Sequence, residues 1–587
     1  MGGDELNLGM VGSGGDGVMV TGEILVYAAA RKGMKCLMLK SFGPQIRGGE
    51  SSCKIRMSSK KVATPPDKLD VLLAFNWNDY QRFGRELELG SVGVVIEDGR
   101  DGDQEPERQI VGQKPAKIYR IPLTEMAKES AGNKLAKNMV ALGVLSGMFS
   151  LPDEEMRAAI RKTFSHKSDE IIDSNFRAYE AGKQYAENNL DSPPKLQLVI
   201  DESMLDKRAV MTGNEAIAYG SLLAGCSFFA GYPITPSSEI MEWLSNHMPV
   251  YGGTMIQTED EIAALGMVIG ASMAGARAMT ATSGPGVSLM IEQIGLASIA
   301  EIPCVIVNAQ RVGPSTGIPT KSEQSDLLQA CFGTHGDAPK VVIAPADVAD
   351  CFDVMREAFF ISEKYQLPVI VLSDGFIAQC KSSIPWPDLD KIRPWERARP
   401  NIDEVSPADY KRFEIMPSGV TWMSIPGKDP HLYRAAGIEH NEAGNPTSDF
   451  AEHERMNEKR YRKLEGVAAE VNFMRHYGPE NAAVGVIGWG SSKGPVREAV
   501  ELLNAEGLAV KALIPQVLYP LDTNQVYEFF KSLDKLLVVE LSYSKQFLNL
   551  LKIQLDLPVG TAHFGRSGGK PLAVYEVVDQ IRMLFEE

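Results

Sequence analysis

Short apolar runs separated by helix-length intervals recur along almost the whole chain. The clearest runs are LNLGMVG near the N-terminus, CSFFAGY, RAMTAT, PCVIVNA, KVVIAPA and LPVIVLSD in the middle, and AVGVIGWG towards the C-terminus. Strands buried on both faces have this near-continuous apolar character, and the helices between them cover the faces of a parallel sheet. The pattern therefore predicts an α/β protein with three doubly wound, parallel-sheet domains.

The domain boundaries are placed where the strand–helix alternation is interrupted. A chain of 587 residues exceeds what one hydrophobic core supports, so several domains are expected. The expected parts are a first α/β domain at 1–190, a linker at 191–200, a second α/β domain at 201–385, a charged connecting arm at 386–475, and a smaller α/β domain at 476–587. The arm is either an insertion that contacts another subunit or a solvated, partly irregular connection. Its basic stretch from Lys459 to Lys463 is interpreted as the solvated face of a charged helix.

Composition excludes several classes of protein. The net charge is -16, and no cluster of basic residues is evident beyond the Lys60-Lys61 pair and the stretch from Lys459 to Lys463, so a nucleic-acid partner is not expected. No apolar run approaches the length of a membrane span, and the N-terminus does not resemble a secretion signal. The seven cysteines are scattered without C-x-x-C spacing, so neither disulfides nor a metal site built by this chain alone is expected. These features are typical of a cytoplasmic protein.

A glycine-rich turn follows the first predicted strand. It contains Gly14, Gly15 and Gly17 in the spacing G-x-G-G-x-G, ahead of a predicted helix. Such a turn lets backbone N–H groups approach a phosphate at the helix N-terminus. The acidic residue that binds a ribose in NAD enzymes is missing, because the second strand ends with Lys40 and Ser41. The turn therefore indicates either a phosphate-bearing ligand other than NAD or a purely structural tight turn.

A loop with two prolines follows the predicted strand CSFFA. It runs Gly231-Tyr232-Pro233-Ile234-Thr235-Pro236-Ser237 and precedes a predicted helix. Ligands bind at this carboxyl end of the strands in parallel sheets. A Thr235 hydroxyl beside N–H groups of the helix N-terminus would suit a carboxylate. The alternative is that Thr235 and Ser237 only cap the helix.

Three acidic residues, Glu259, Asp260 and Glu261, lead into a helix of small and apolar residues. Acids in a first turn commonly interact with the helix dipole and have no other role. The helix is so rich in Ala, Gly and Ile that it is expected to be packed on all sides. That setting would bury Glu261, and partly buried carboxylates are where catalytic acids and bases are found. Glu261 is therefore the preferred catalytic candidate and Glu259 the second choice.

Two further loops follow strands of the same predicted sheet. One is the turn Thr282-Ser283-Gly284-Pro285-Gly286, and the other is the loop from Asn308 to Gly317, N-A-Q-R-V-G-P-S-T-G, which contains Arg311. An arginine at a strand end could bind a carboxylate with two parallel hydrogen bonds. The ordinary alternative is a single exposed arginine.

Taken together, these stretches resemble a known family, the α subunits of 2-oxoacid:ferredoxin oxidoreductases. The matching stretches, in order, are GYPITPSSE, QTEDEIAALG, SGPG and NAQRVGPSTG. The N-terminal part, with VGSGGDGV and SFGPQIRGG, is similar to the γ domain of that family, here fused ahead of the α part. The C-terminal part resembles the transketolase C-terminal domain.

The resemblance implies a thiamine diphosphate enzyme. The domain at 201–385 would bind the pyrimidine half of the cofactor, next to the Tyr232–Thr235 loop and the turn at Ser283 and Gly284. Glu261 would contact the aminopyrimidine ring and favour the tautomer that removes the C2 proton. Thr235 and Arg311 match positions that hold the substrate. The turn at 14–17 and Arg47 would lie near the phosphates of coenzyme A, the cosubstrate.

The resemblance also implies partners and a reaction. A β subunit would carry the diphosphate and Mg²⁺ site and a [4Fe-4S] cluster, in an α2β2 assembly that reduces ferredoxin. The reaction would convert a 2-oxoacid, most similar to 2-oxoglutarate, and coenzyme A into acyl-CoA and CO2. It would be reversible as reductive carboxylation, as in a reductive TCA cycle that fixes carbon. Pyruvate or a branched 2-oxoacid, a non-catalytic nucleotide- or anion-binding module of the same fold, and an NAD-dependent dehydrogenase are the alternatives.

Overall fold

The computed structural model describes residues 3–43, 49–99, 110–191, 193–389, 395–471 and 473–586. The chain forms two compact units. One comprises Met1–Met211 with Cys380–Trp386, and the other Thr212–Gln379 with Pro387–Glu587. No helix in the described ranges is both long and apolar enough to span a bilayer.

The first unit contains one sheet covered by helices. Its strands are β1 (Glu5–Gly12), β2 (Lys35–Phe42), β3 (Ser51–Ser58), β4 (Leu69–Ala74), β5 (Leu89–Asp98), β6 (Lys117–Ile121), β7 (Arg208–Thr212) and, from later in the chain, β14 (Lys381–Pro385). Its helices are α1 (Val18–Lys32), α2 (Trp77–Phe83), α3 (Leu123–Ala131), α4 (Lys137–Phe149), α5 (Asp153–Thr163) and α6 (Asp169–Asn189). The strand order is β6-β5-β4-β1-β3-β2-β14-β7.

This sheet combines parallel and antiparallel pairs. Strands β1, β4, β5 and β6 are parallel neighbours, whereas β3 is antiparallel to β1 and β2, and β14 to β2. Two expected boundaries therefore change. Residues 381–385 belong to the first unit and not to the second domain, because they extend its sheet. The segment at 191–200 is also part of this unit, since Leu196 and Leu198 are buried in its core.

The second unit contains two sheets. The first has the order β18-β12-β13-β11-β10-β8-β9, with β8 (Phe228–Gly231), β9 (Thr254–Gln257), β10 (Ala278–Thr282), β11 (Cys304–Gln310), β12 (Val341–Ile343), β13 (Pro368–Asp374) and β18 (Val517–Tyr519). The second has the order β15-β17-β16-β19-β20, with β15 (Met474–Tyr477), β16 (Val484–Gly488), β17 (Val510–Pro515), β19 (Lys535–Glu540) and β20 (Gly560–Gly565).

Most strand pairs in these two sheets are parallel, and among the described residues β18 with β12 and β15 with β17 run antiparallel. Strand β18 lies in the first of these sheets although the sequence analysis assigned it to the last domain. The helices of the unit are α7 (Gly213–Leu223), α8 (Ser238–His247), α9 (Glu261–Met273), α10 (Gly284–Ile299), α11 (Leu327–Phe332), α12 (Val348–Tyr365), α13 (Gly375–Gln379), α14 (Phe450–Glu470), α15 (Lys493–Ala505), α16 (Thr523–Phe530), α17 (Gln546–Gln554) and α18 (Val574–Glu586). The predicted α/β class, with parallel sheets dominating, is confirmed.

The connecting arm packs against the second α/β domain through buried charges. Its helix α14 was predicted, but Lys459 and Lys463 on that helix are fully buried, so the interpretation as a solvated basic face is wrong. Both ammonium groups bond to the carboxylate of Glu301, Lys459 at 2.6 Å. Arg412, also from the arm, donates to the Glu301 backbone carbonyl at 2.7 Å. Two of the basic residues of this helix therefore neutralise one buried acid.

Candidate active site

Four loops meet at one edge of the sheet that contains β8 to β13. Strands β9, β8, β10 and β11 are adjacent and parallel, so the residues that follow each of them lie at the same edge. These residues include the 232–237 loop after β8, Glu261 after β9, Ser283 after β10 and Arg311 after β11. The structure therefore brings together the candidate residues of this domain at the carboxyl ends of the strands, where the sequence analysis placed them.

Glu261 is the buried carboxylate of the site. It is the first residue of α9 and is 6% exposed, whereas Glu259 is exposed. The capping role belongs to Asp260, whose side chain accepts a hydrogen bond from the Ala263 N–H at 2.8 Å. Within the described residues, no group donates a hydrogen bond to the Glu261 carboxylate. The carboxylate is therefore available to a ligand that donates a hydrogen bond.

The turn after β10 fits closely around Glu261. A β-carbon placed on Gly286 would lie 2.7 Å from Glu261 Oε1 and 2.0 Å from Thr282 Oγ1. Glycine is therefore the only residue that fits at this position without displacing the carboxylate. Ser283, at the N-cap position of α10, is buried, and its Oγ has no partner among the described residues. Its hydroxyl is a second polar group available to a ligand.

Arg311 is buried, so the alternative of a single exposed arginine is wrong. Its side chain is 7% exposed, and Nη1 donates to the Thr235 carbonyl oxygen at 2.7 Å. Its Nε is buried and has no partner in the described part of the chain. The guanidinium thus fixes the loop after β8 and keeps a donor for a further acceptor.

The loop after β8 is open to solvent on one side. Tyr232 is 41% exposed and Pro233 is exposed, whereas Ile234 and Thr235 are half-buried. Ser237 occupies the N-cap position of α8 but makes no capping hydrogen bond, and its hydroxyl donates to the Ile234 carbonyl oxygen instead. Capping therefore does not explain the serine and threonine of this loop.

Two site residues were missed by the sequence analysis. Asn308 lies in β11, is fully buried, and donates from Nδ2 to Asp326 Oδ2 at 3.0 Å. Its Oδ1 has no partner within the described ranges. The available signal was a polar residue near the end of an apolar strand, in the sequence VIVNAQ. Asp326 had no such signal, because its place in the site depends on the course of a long loop.

The chain matches two protein families along most of its length. Residues 219–459 match the family described as "Pyruvate flavodoxin/ferredoxin oxidoreductase, thiamine diP-bdg", and residues 7–185 match "Pyruvate ferredoxin/flavodoxin oxidoreductase". The 2-oxoacid:ferredoxin oxidoreductase subunit alpha of a Sulfolobus species is 30% identical over 592 residues, covering 92% of this chain and 91% of that protein. The chain belongs to the α subunits of the 2-oxoacid:ferredoxin oxidoreductases. The resemblance inferred from the motifs is confirmed.

Further relatives of this oxidoreductase subunit are named for 2-oxoglutarate. The 2-oxoglutarate oxidoreductase subunit KorA of Mycobacterium tuberculosis is 32% identical over 548 residues, covering 87% of this chain and 82% of that protein. A solved structure of the 2-oxoglutarate:ferredoxin oxidoreductase from Magnetococcus marinus, with 2-oxoglutarate, coenzyme A and succinyl-CoA bound, has a TM-score of 0.92 and 35% identity. The match covers 99% of this chain and all of that one. The relatives' names identify them as subunits of larger enzymes.

The oxidoreductase subunit has an exposed apolar surface beside Glu261. On α9, Ile262 is 45% exposed and Met267 is 44% exposed, and on α10 Leu289 is 49% exposed. Gly266 and Gly270 of α9 are also exposed. The expectation that α9 is packed on all sides is therefore wrong for the single chain. Its small and apolar residues on this side remain uncovered within the subunit.

In the first unit, the glycine-rich turn borders a cavity of about 560 Å³. Gly14, Gly15 and Gly17 line it, together with residues that include Asn133, Asn138, Ser174 and Asn175. Gly15 and Gly17 have φ of 99° and 81°, values that favour glycine. Arg47, the other residue predicted here, lies outside the described residues.

The carboxylate of Asp16 occupies the start of this turn. It accepts a hydrogen bond from the Ser13 N–H at 2.8 Å and forms an ion pair with Lys137 at 2.8 Å. A negative side chain thus already uses one of the backbone donors that the sequence analysis assigned to a phosphate. Any anionic ligand of this cavity would be held by other groups of the turn.

Proposed function

We propose that this chain is the α subunit of an enzyme that oxidatively decarboxylates 2-oxoglutarate. The reaction joins the 2-oxoacid to coenzyme A, releases CO2 and passes the electrons to ferredoxin, and the reverse direction is a reductive carboxylation. The observation that carries the proposal is Glu261, a buried residue whose carboxylate accepts no hydrogen bond from the described part of the chain, at the same sheet edge as the buried cation Arg311. A carboxylate of this kind suits the activation of a cofactor by hydrogen bonding.

The residues present fit the pyrimidine half of thiamine diphosphate. Within the described residues, the Glu261 carboxylate accepts no hydrogen bond and the Ser283 hydroxyl has no partner, and Gly286 keeps the space beside Glu261 clear. When bound, the cofactor supplies an electron sink for decarboxylation. Glu261 would hold the aminopyrimidine ring through a hydrogen bond to its carboxylate. The Tyr232–Thr235 loop and Gly284 would complete the walls of this half of the site.

Arg311 and Thr235 would hold the substrate. The guanidinium keeps Nε available while Nη1 fixes the loop that contains Thr235, so both residues are oriented before the 2-oxoacid binds. A planar guanidinium matches the geometry of a carboxylate. The names of the relatives and the TM-score of 0.92 favour 2-oxoglutarate. Pyruvate or a branched 2-oxoacid is the alternative substrate.

The catalytic centre would be completed by a β subunit. That subunit would bring the Mg²⁺ and diphosphate site and the [4Fe-4S] cluster, and the assembly would be α2β2. The exposed apolar residues of α9 and α10 beside Glu261 support a partner at this place, because such residues are usually covered in the functional assembly. An obligate interface of this kind should bury well over about 2,000 Å².

Coenzyme A would bind at the cavity of the first unit. Its volume of about 560 Å³ and its glycine and asparagine lining are compatible with part of a nucleotide. Because Asp16 already binds the Ser13 N–H, the phosphates would contact the Gly14–Gly17 backbone and the Arg47 side chain. Replacing Gly15 with Val should therefore raise the KM for coenzyme A, and unchanged coenzyme A kinetics would refute this part.

The test is reconstitution with the partner subunit. The assembled enzyme should reduce ferredoxin when given 2-oxoglutarate and coenzyme A, with lower turnover on pyruvate. The chain purified alone should be colourless, bind thiamine diphosphate poorly and have no activity. A brown, active single chain would contradict the assignment. Failure of the assembled protein to decarboxylate any 2-oxoacid would favour the non-catalytic module instead.

A further inference from the structure

The second sheet of the second unit, here called the C-terminal sheet, holds a segment that belongs to the candidate active site. Its strands β16, β19 and β20 are adjacent and parallel, so the residues that follow them lie at one edge. Ligands commonly bind at this edge of parallel sheets. In this chain the segment 321–328, which lies between β11 and β12, contacts the loops after all three strands. The edge is therefore used to hold part of the chain itself.

Gln324 makes three hydrogen bonds to the ends of two of these strands. Its backbone N–H donates to the Leu541 carbonyl oxygen at 2.7 Å, and its side-chain Oε1 accepts from the Leu541 N–H at 2.9 Å. Its Nε2 donates to the Trp489 carbonyl oxygen at 2.9 Å. Gln324 is fully buried, so water does not compete for these groups. One residue of the segment thus satisfies three backbone groups of the C-terminal sheet.

Residues on either side of this glutamine are held in the same way. The Glu323 carboxylate accepts from the Gly568 N–H at 2.7 Å. Gln546, the first residue of α17, accepts at Oε1 from the Leu328 N–H at 3.0 Å and donates from Nε2 to the Ser325 carbonyl oxygen. The segment is therefore fixed along its length by the C-terminal sheet.

The same segment is bonded to both neighbours of Arg311. Val312, which follows Arg311, donates its N–H to the Lys321 carbonyl oxygen at 3.0 Å. The side chain of Gln310, which precedes Arg311, accepts from the Asp326 N–H at 3.0 Å. A shift of the segment would therefore move the backbone on both sides of the guanidinium.

We propose that the C-terminal sheet positions Arg311 for the substrate, and that Gln324 and Gln546 are the positioning residues through which it acts. This inference rests on the proposed function, in which Arg311 binds the carboxylate of the 2-oxoacid. The guanidinium uses Nη1 to hold the Thr235 carbonyl oxygen, so the direction of its Nε depends on the backbone at 311. A binding group that is oriented before the substrate arrives loses less entropy on binding.

The experiment compares KM and kcat for 2-oxoglutarate in the assembled enzyme. Gln324→Met keeps the length of the side chain but removes its two hydrogen bonds, and it should raise the KM by about tenfold while kcat falls by less than about twofold. Gln546→Met, at a half-buried position, should raise the KM by about threefold.

The decisive measurement is the double variant Arg311→Lys with Gln324→Met. If Gln324 acts through Arg311, the double variant should have a KM close to that of Arg311→Lys alone, because the planar fork that Gln324 positions is already lost. A KM that rises by the product of the two single effects would overturn the inference. If Gln324→Met does not assemble, Gln546→Met takes its place in the same comparison and is judged in the same way.

Lys493→Met is the matched control. Lys493, in α15, forms ion pairs with Asp347 at 2.6 Å and Asp350 at 2.8 Å, so it joins the C-terminal sheet to the other sheet at helix α12 and not at the segment. Its loss should lower stability but keep the KM within about twofold of the wild type. An unchanged KM in Gln324→Met, or an equal rise in Lys493→Met, would refute the positioning role. An unchanged KM in Arg311→Lys would instead contradict the proposed function of Arg311.

Discussion

Two of the buried glutamates in the second unit, Glu301 and Glu261, have opposite surroundings. Glu301 is fully buried, and three cations from the arm contact it: Lys459 and Lys463 at its carboxylate and Arg412 at its carbonyl. Glu261 is also buried, but among the described residues nothing donates to its carboxylate. Charges that serve the fold are paired within the chain. A buried charge left without such a partner indicates a ligand.

The electrostatics of Glu301 agree with a role in the fold. Burial alone would raise the pKa of Glu301, but the charges of Lys459 and Lys463 lower it well below its usual range. A carboxyl group whose pKa is lowered by folding contributes stability above its unfolded pKa, near 4.5. That contribution is lost as the pH falls below this value. The arm should therefore loosen in acid before the sheets do.

The largest expected effect on stability comes from Glu301→Gln. The substitution leaves buried cations without their counter-charge, which should lower the free energy of unfolding by about 3–5 kcal/mol. Denaturant unfolding of the purified subunit measures this. The matched control is Glu465→Gln, an exposed acid on helix α14, which should change stability by less than about 0.5 kcal/mol. Equal effects of the two substitutions would remove the distinction between Glu301 and a surface acid.

The second-largest effect is expected from Arg311→Lys, which should change substrate binding and not stability. Lysine cannot reproduce the planar fork, so the KM for the 2-oxoacid should rise by roughly 10–100-fold. Steady-state kinetics of the assembled enzyme over a range of 2-oxoglutarate concentrations measures the change. Arg434→Lys, at an exposed position of the arm, is the control and should leave the KM unchanged. An unaltered KM in Arg311→Lys would mean that this guanidinium serves only the loop at Thr235.

A smaller effect is expected from Gly286→Ala. The added β-carbon would press on Glu261 Oε1 and Thr282 Oγ1, so kcat should fall by about tenfold while unfolding changes by about 1 kcal/mol. The control is Gly295→Ala on the same helix. A β-carbon placed on Gly295 would have no atom of the described residues within 4 Å. That substitution should be neutral or slightly stabilising. If both alanine variants keep full activity, the fit of the turn around Glu261 has no catalytic importance.

The smallest effect is expected from Lys463→Met. Burial lowers the pKa of Lys463, and Glu301 only partly restores it. The unfolded chain therefore binds this proton more tightly, so wild-type stability should rise as the pH increases towards 10.5. In Lys463→Met, Lys459 still pairs with Glu301, and the free energy of unfolding at neutral pH should change by about 1 kcal/mol or less. If the stability of this variant still rises with increasing pH, another titratable group causes the rise.

The sequence carried enough information to locate the site but not to explain the arm. Loops with Gly, Pro and polar residues directly after apolar strands are local signals, and parallel strands necessarily bring such loops to one edge. The apolar residues of helix α9 likewise favoured Glu261, which is buried, over Glu259, which is exposed. The pairing of Lys459 with Glu301 spans 158 residues and leaves no local pattern.

Other expectations from the sequence also differed from the structure because they depend on contacts between residues that are far apart in the chain or on contacts outside it. Residues 381–385 were assigned to the second domain, yet they pair with β2 of the first unit across more than 300 residues of chain. The apolar character of α9 was correctly associated with packing, but Ile262 and Met267 are uncovered within the chain. The hydrophobic periodicity of a helix shows that one of its faces is apolar. It does not show whether that face packs against the same chain or against another subunit.

We propose that Glu261 activates the cofactor and has little part in the fold. The most direct test is hydrogen–deuterium exchange at C2 of thiamine diphosphate bound to the assembled enzyme, in wild type and Glu261→Gln. The account predicts that exchange is slowed by at least about a thousandfold in the variant. Assembly, cofactor binding and thermal stability should remain close to wild type. Wild-type exchange rates in Glu261→Gln would contradict the account.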